Sequence, residues 1–139
     1  MASVPLYTPE ILALATALAG WPLDGSLPNT VTVRSRSCGS SLTMGFETDS
    51  NGRIAKVGLA TQACAIGQAA AAIFAAAAAG RDAAQIISAE HALQDWLDGE
   101  GPMPDWPGLN AIAPARAYPG RHGAIMLAWQ AAHRLLSSN

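Results

Sequence analysis

The sequence predicts an α+β domain in which a three-stranded antiparallel sheet packs against several helices. Three observations carry this. Residues 30–36, 42–48 and 54–60 are rich in β-branched residues or alternate apolar with polar ones, as half-buried strands do. Asp49-Ser50-Asn51-Gly52 separates the second and third of these runs, and Asn-Gly favours the positive φ angles of a hairpin turn. An alanine block over 65–79, the strongest helix-forming composition available, follows the third strand directly.

Each element has a local reason. Thr8, Pro9 and Glu10 supply a capping hydroxyl, a proline at the first helical position and an acid in the first turn, predicting a helix over 9–19. Ile11, Leu12, Leu14, Ala15 and Leu18 recur along it at helical spacing, and Gly20 with Pro22 ends it. Residues 23–28 form a proline- and glycine-containing loop. Three strands in a meander then follow, the first joined to the second through a loop carrying Cys38 and Gly39. In a meander the first loop and the end of the third strand lie at the same end of the sheet, so Cys38 and Cys64 are expected to be neighbours.

The alanine helix should turn Ile66, Ile73 and Phe74 toward the sheet and stop at Gly80. A second helical unit is expected near Asp82 and a third near Ser88, with Leu93, Trp96 and Leu97 as its apolar stripe. Residues 99–107, with Pro102, Pro104 and Pro107, read as irregular. A last helix from about Gly120 should bury Ile125, Met126, Trp129, Ala132 and Leu136, leaving a frayed tail from Ser137. Trp96, Trp106 and Trp129 read as packing residues, and His91 and His133 as solvated.

Composition narrows the function. The 139 residues, 14.3 kDa, match one domain over 1–139, long enough to bury a core without staples. A net charge of -2 and a pI near 5.8 argue against nucleic acid or anionic lipid as partner. The alanine block is shorter than the roughly 20 residues of a membrane span. Two cysteines and no signal-peptide pattern point to a reducing, cytoplasmic setting.

Those cysteines are the residues most suited to chemistry. Cys64 stands where a strand gives way to a helix, and a thiol there faces the positive end of the helix dipole, which favours the thiolate. Cys38 lies in Ser37-Cys38-Gly39-Ser40-Ser41, where small residues allow a tight turn, with Arg34 and Arg36 nearby. The bland alternatives are a small buried residue for Cys64, an idle loop thiol for Cys38, or a disulfide between the two on oxidation. A thiol enzyme with His122 as base is a further alternative, but no orienting acid or oxyanion loop stands at recognisable spacing.

The order of these features resembles a known family. Cys38-Gly39 between strands, the Asn-Gly hairpin, Cys64-Ala65-Ile66 opening a small-residue helix, and Tyr118-Pro119-Gly120-Arg121 before Leu127-Ala128-Trp129 are similar to the U-type iron-sulfur cluster assembly scaffolds, the NifU/IscU/SufU family. The likeness runs from Leu6 to Leu136, and the stretch 86–109 resembles the insertion of the SufU branch. The resemblance implies a SufE/NifU-like fold and a scaffold or sulfur acceptor rather than an enzyme. It implies cysteine desulfurase and apo-protein cluster acceptors as partners, and zinc or a transient iron-sulfur cluster as the bound species.

In the family a Cys-Gly-Asp loop, a cysteine opening the small-residue helix and a third cysteine on the last helix converge on the metal. Cys38 and Cys64 match the first and second cysteines, and Arg121 the arginine before the third. Ser40 stands at the aspartate position and Ala124 at the third cysteine. His122, one residue out of the family histidine's register, is the nearby side chain able to substitute as a ligand. Two thiolates leave a site that is weak, completed by a partner, or absent, since protein-only zinc and iron sites ordinarily use three or four protein donors. The alternative function is a degenerate, metal-free member that acts by binding the desulfurase.

Overall fold

The structure, a computed structural model, describes residues 7–36 and 39–137. Helix α1 spans Pro9–Ala17, with the Thr8 hydroxyl accepting a hydrogen bond from the Ile11 amide at 3.1 Å. It ends two residues earlier than the sequence predicts, tightening into a 3-10 turn over Leu18–Gly20. Only Ile11 of its apolar residues is fully buried, and Leu12 is 51% exposed. The stripe is therefore narrower than its spacing implies.

Strands β1 (Asn29–Arg34), β2 (Ser41–Thr48) and β3 (Ile54–Gln62) form the expected antiparallel meander in the order β1-β2-β3. The β2–β3 hairpin differs from the simple Asn-Gly turn. Only Gly52 has positive φ (+76°), and the Asp49 carboxylate accepts hydrogen bonds from the Asn51 and Arg53 amides. The side chain of Asp49 thus organises a longer loop, and the register shifts between Glu47 and Thr48.

One face of the sheet, through Val33, Leu42, Met44, Phe46, Val57 and Leu59, joins the core. On the other, the 21–28 loop crosses a glycine pair, Gly45 opposite Gly58. A Cβ at Gly58 would lie 2.6 Å from the Pro22 carbonyl oxygen and 2.7 Å from Leu27 Cδ1. The absence of a side chain lets the loop lie directly on the strands, where the Leu59 amide donates to the Trp21 carbonyl at 2.8 Å.

Helix α2 (Ala65–Ala78) sits at the centre of the helical layer, touching α1, β3 and the last helix. Ala69, Ala70, Ala71, Ala72 and Ala78 are all at most 1% exposed, so the helix is enclosed on nearly every side. Its end is fixed by Gly80 in the left-handed region (φ +86°). The Gly80 amide donates to the Ile54 carbonyl and the Ile54 amide to the Arg81 carbonyl, tying the helix exit to the start of β3.

Helix α3 (Ala83–Leu97) replaces the two units expected near Asp82 and Ser88. A reciprocal capping box between Asp82 and Gln85 starts it, and Ser88 lies within it. One face, with Ile86, Leu93, Trp96 and Leu97 buried, holds the helix through Ser88. A 3-10 segment over Leu109–Ala117, containing Pro114, and a short one over Pro119–Arg121 lead into helix α4 (His122–Ser137). The five α4 residues expected inside are buried.

At the heart of the core Phe74, Trp106 and Trp129 form a triangle with every pair of ring centroids 5.3 Å apart. Phe74 stacks on Trp106, and Trp129 meets both edge-on. The Trp106 indole donates to the Ile73 carbonyl at 3.0 Å, and the Arg81 guanidinium lies 3.9 Å from the ring centroid. Among the described residues no helix is long and apolar enough to cross a membrane.

Truncating Phe74 to alanine is expected to destabilise the fold by about 3–5 kcal/mol, because both tryptophans lose their shared neighbour. Urea unfolding followed by tryptophan fluorescence measures this; a loss below about 1 kcal/mol would show that the triangle is not a packing centre.

Candidate functional site

The sheet register defines a rim. Arg34 of β1 pairs with Ser41 of β2, and Ser41 with Gln62 of β3. The loop over 35–40 and the chain leaving β3 therefore emerge at the same end, as the meander requires. Cys38 itself lies outside the described residues, and with it the expected contact to Cys64. The flanks of its loop are defined: the Ser35 amide donates to the Ser40 carbonyl at 2.8 Å, and the Gly39 amide to the Ser35 carbonyl at 3.2 Å. Ser35 and Ser40 are both buried.

Cys64 occupies the N-cap of α2, with extended backbone (φ -65°, ψ 169°). It is a half-buried free thiol whose side chain makes no capping hydrogen bond, and it packs at the margin of the core. Its carbonyl accepts from the Gln68 amide at 3.0 Å, while the Gln68 side-chain amide donates to the Ala63 carbonyl, also at 3.0 Å. Gln68 thereby fixes the backbone on both sides of the strand-to-helix junction. It carries no signal in the sequence beyond its place four residues after the cysteine.

Helix α4 reaches the same corner. A Cβ on Gly67 would lie 2.8 Å from the Ala63 Cβ and 3.1 Å from the Ala124 Cβ. Gly67, one turn beyond Cys64, lets the first turns of α2 and α4 touch. Ala124 is thus set against the cysteine-bearing turn, and it is only 2% exposed.

His122 and Arg121 precede it. The His122 Nε2–H donates to the Arg116 carbonyl at 2.8 Å, so a metal bound there would use Nδ1 or displace that hydrogen bond. The Arg121 guanidinium donates to the Tyr7 hydroxyl at 3.3 Å. His133, read from sequence as solvated, instead lies half-buried with Nδ1 2.5 Å from the Glu90 carboxylate. That partner is remote in sequence and leaves no local trace.

The donor set can be tested against the metal that the family resemblance implies. Cys64 offers a thiol, whereas the Ser40 hydroxyl and the Ala124 methyl offer neither thiolate nor carboxylate. Among the described residues no three His, Cys, Asp or Glu side chains are grouped to hold a metal ion. The described residues therefore do not fit a complete tetrahedral metal site.

A meander covered by a small-residue helix, with a thiol at the junction and the last helix closing over it, defines an α+β fold of the U-type scaffold kind. No protein-family model and no curated protein sequence matches the chain. Solved structures do. A NifU-like protein (N-terminal part) described as nitrogen-fixing, from Brucella abortus, superposes with a TM-score of 0.85 at 25% identity, covering 96% of each chain. FiSufU from the thermophile Fervidobacterium islandicum AW-1, named as a candidate iron-sulfur cluster assembly scaffold for the SUF system, gives a TM-score of 0.79 at 18% identity, over 91% of this chain and 93% of its own. The fold is that of the U-type scaffolds. Because the likeness extends to both NifU-like and SufU proteins, it marks the architecture rather than one branch.

Gly67→Ala is expected to cost about 1–3 kcal/mol despite alanine's better helix propensity, since the new methyl must separate the Ala63–Gly67–Ala124 contact. Thermal or urea unfolding of the variant measures it. Unchanged stability would mean that the two helix starts are not in close contact.

Proposed function

We propose that the protein is a scaffold-type sulfur acceptor in iron-sulfur cluster assembly, with Cys64 as the principal accepting thiol and Cys38 as its companion. The observation that supports this reading most is the placement of Cys64, a half-buried free thiol at the α2 N-cap, on the rim shared by the 35–40 loop and the start of α4. The Cys64 thiolate would attack the outer sulfur of a persulfide carried by a cysteine desulfurase. A new S–S bond forms at Cys64, the donor's S–S bond breaks, and the donor cysteine leaves as thiolate. The exchange involves no net oxidation or reduction.

Iron and the nascent cluster are cargo in this reading. The chain supplies two thiols, and the acceptor apo-protein, the donor or an exogenous thiol supplies the remaining ligands. Arg121 and His122, at the mouth of the last helix, would contact the visiting group. The protein is not an enzyme in this role.

A second reading is favoured by one feature, the buried Ala124 methyl against Gly67, which fills with hydrocarbon the place of the family's third cysteine. In it the protein binds no metal and serves only as a binding partner of the desulfurase. Metal analysis of freshly purified protein separates the two, because stoichiometric iron or zinc excludes the second.

Incubated anaerobically with a cysteine desulfurase and L-cysteine, the wild-type chain is expected to gain the mass of a sulfur atom on a cysteine. Cys38→Ser/Cys64→Ser should gain none. A wild-type protein unmodified by intact-mass spectrometry, while a known acceptor is modified in parallel, would rule the sulfur-acceptor role out.

Restoring the missing donors gives an independent check. The double variant Ser40→Asp/Ala124→Cys is expected to bind zinc at least about tenfold more tightly than the wild type, since completing a tetrahedral set strengthens binding. Competition with a chromogenic chelator measures it; equal affinity would mean that the two positions do not face the thiols.

A further inference from the structure

A groove of about 660 Å³ lies on the flank of the molecule between the end of β1, α3 and α4. Its α4 wall is a stripe of Gly123, Gln130, Arg134 and Ser137, residues that recur on one helical face. Arg34 and Arg36 form the opposite wall. Three of the chain's eight basic side chains therefore line one groove of a protein whose net charge is -2.

The five outside the groove, like Arg134 within it, have partners. Lys56 pairs with Asp24, Arg53 donates to the Gly80 carbonyl, Arg81 to that of Ala77, Arg116 to that of Trp96, and Arg121 to the Tyr7 hydroxyl. The side chains of Arg34 and Arg36, both exposed, have no hydrogen bond or ion pair with any described residue. The acidic group in the groove, Glu90, is occupied by His133 at 2.5 Å. Among the described lining residues, Arg34 and Arg36 are thus the basic side chains left to meet an incoming carboxylate.

We infer that this groove docks an extended acidic segment of a partner protein, with carboxylates set against Arg34 and Arg36. From Gly123 to Ser137 the α4 wall runs roughly 21 Å at ~1.5 Å per residue, the length of about six residues of extended chain. Guanidinium groups favour paired, planar contacts with carboxylates. Among the described residues no Phe, Tyr or Trp lines the groove, which there offers no stacking platform of the kind that single-stranded nucleic acid uses. One end of the groove reaches Gly123, whose neighbour Ala124 lies against Gly67, one turn beyond Cys64.

The test is fluorescence anisotropy with a labelled peptide of about six alternating Glu and Gly residues, titrated with the full-length chain at low ionic strength. Binding is expected, weakening as salt is raised. Arg34→Glu/Arg36→Glu should weaken it at least about tenfold, and Arg34→Lys/Arg36→Lys should largely retain it. Circular dichroism on both variants confirms the fold. Absence of binding, equal binding by the charge-reversed variant, or tighter binding of a thymidine oligonucleotide of matched charge would overturn the inference. The measurement needs no iron, sulfide or desulfurase, so it reads the groove separately from the sulfur-acceptor role.

Discussion

The constraint on which the structure depends is the close approach of neighbours to α2. A helix enclosed by α1, α4 and β3 at once has little room for long side chains, and α2 answers with alanine at most of its contact positions. Alanine also loses no side-chain entropy on folding. Small residues alone bury little area each, however, and the aromatic triangle of Phe74, Trp106 and Trp129 compensates by concentrating apolar surface at one point. The long stretch after α3 is thereby anchored to the core by the Trp106 ring, and α4 by that of Trp129. Placing α4 in turn brings Ala124 onto the first turn of α2.

The site inherits its geometry from that packing. Cys64 is positioned by a strand end and a helix start fixed against each other, and Gln68 secures the junction through backbone hydrogen bonds. The thiol's placement is consequently independent of any metal, since hydrocarbon contact between Gly67 and Ala124 holds the helix starts together. The Arg34 and Arg36 groove extends the same corner into a surface with a charge preference of its own.

Much of the fold was legible in the sequence because its signals are local and redundant. Period-two alternation located the strands, Thr8-Pro9-Glu10 the first helix, and the alanine block with Gly80 the central one. The failures came where tertiary contacts override a local cue. Ser88 has the composition of a helix start, yet the buried face of Ile86, Leu93 and Trp96 carries α3 straight past it. Asn51-Gly52 signalled a hairpin, but the Asp49 carboxylate chose its shape. The 3-10 segment around Pro114 has no amphipathic period to reveal it. At the site, the order of motifs marked Cys64 and the substituted positions Ser40 and Ala124. The contact between Ala124 and Gly67 could not be read, because it joins helices more than fifty residues apart.

The paired hydrogen bonds between Ile54 and the Gly80–Arg81 corner carry a mechanical consequence. They close β3 and α2 into a staple whose open ends are pinned and whose bend holds Cys64. A visitor pressing on that sulfur meets a post braced from both ends. The corner therefore works as an anvil, its unyielding member set where the strand hands over to the helix.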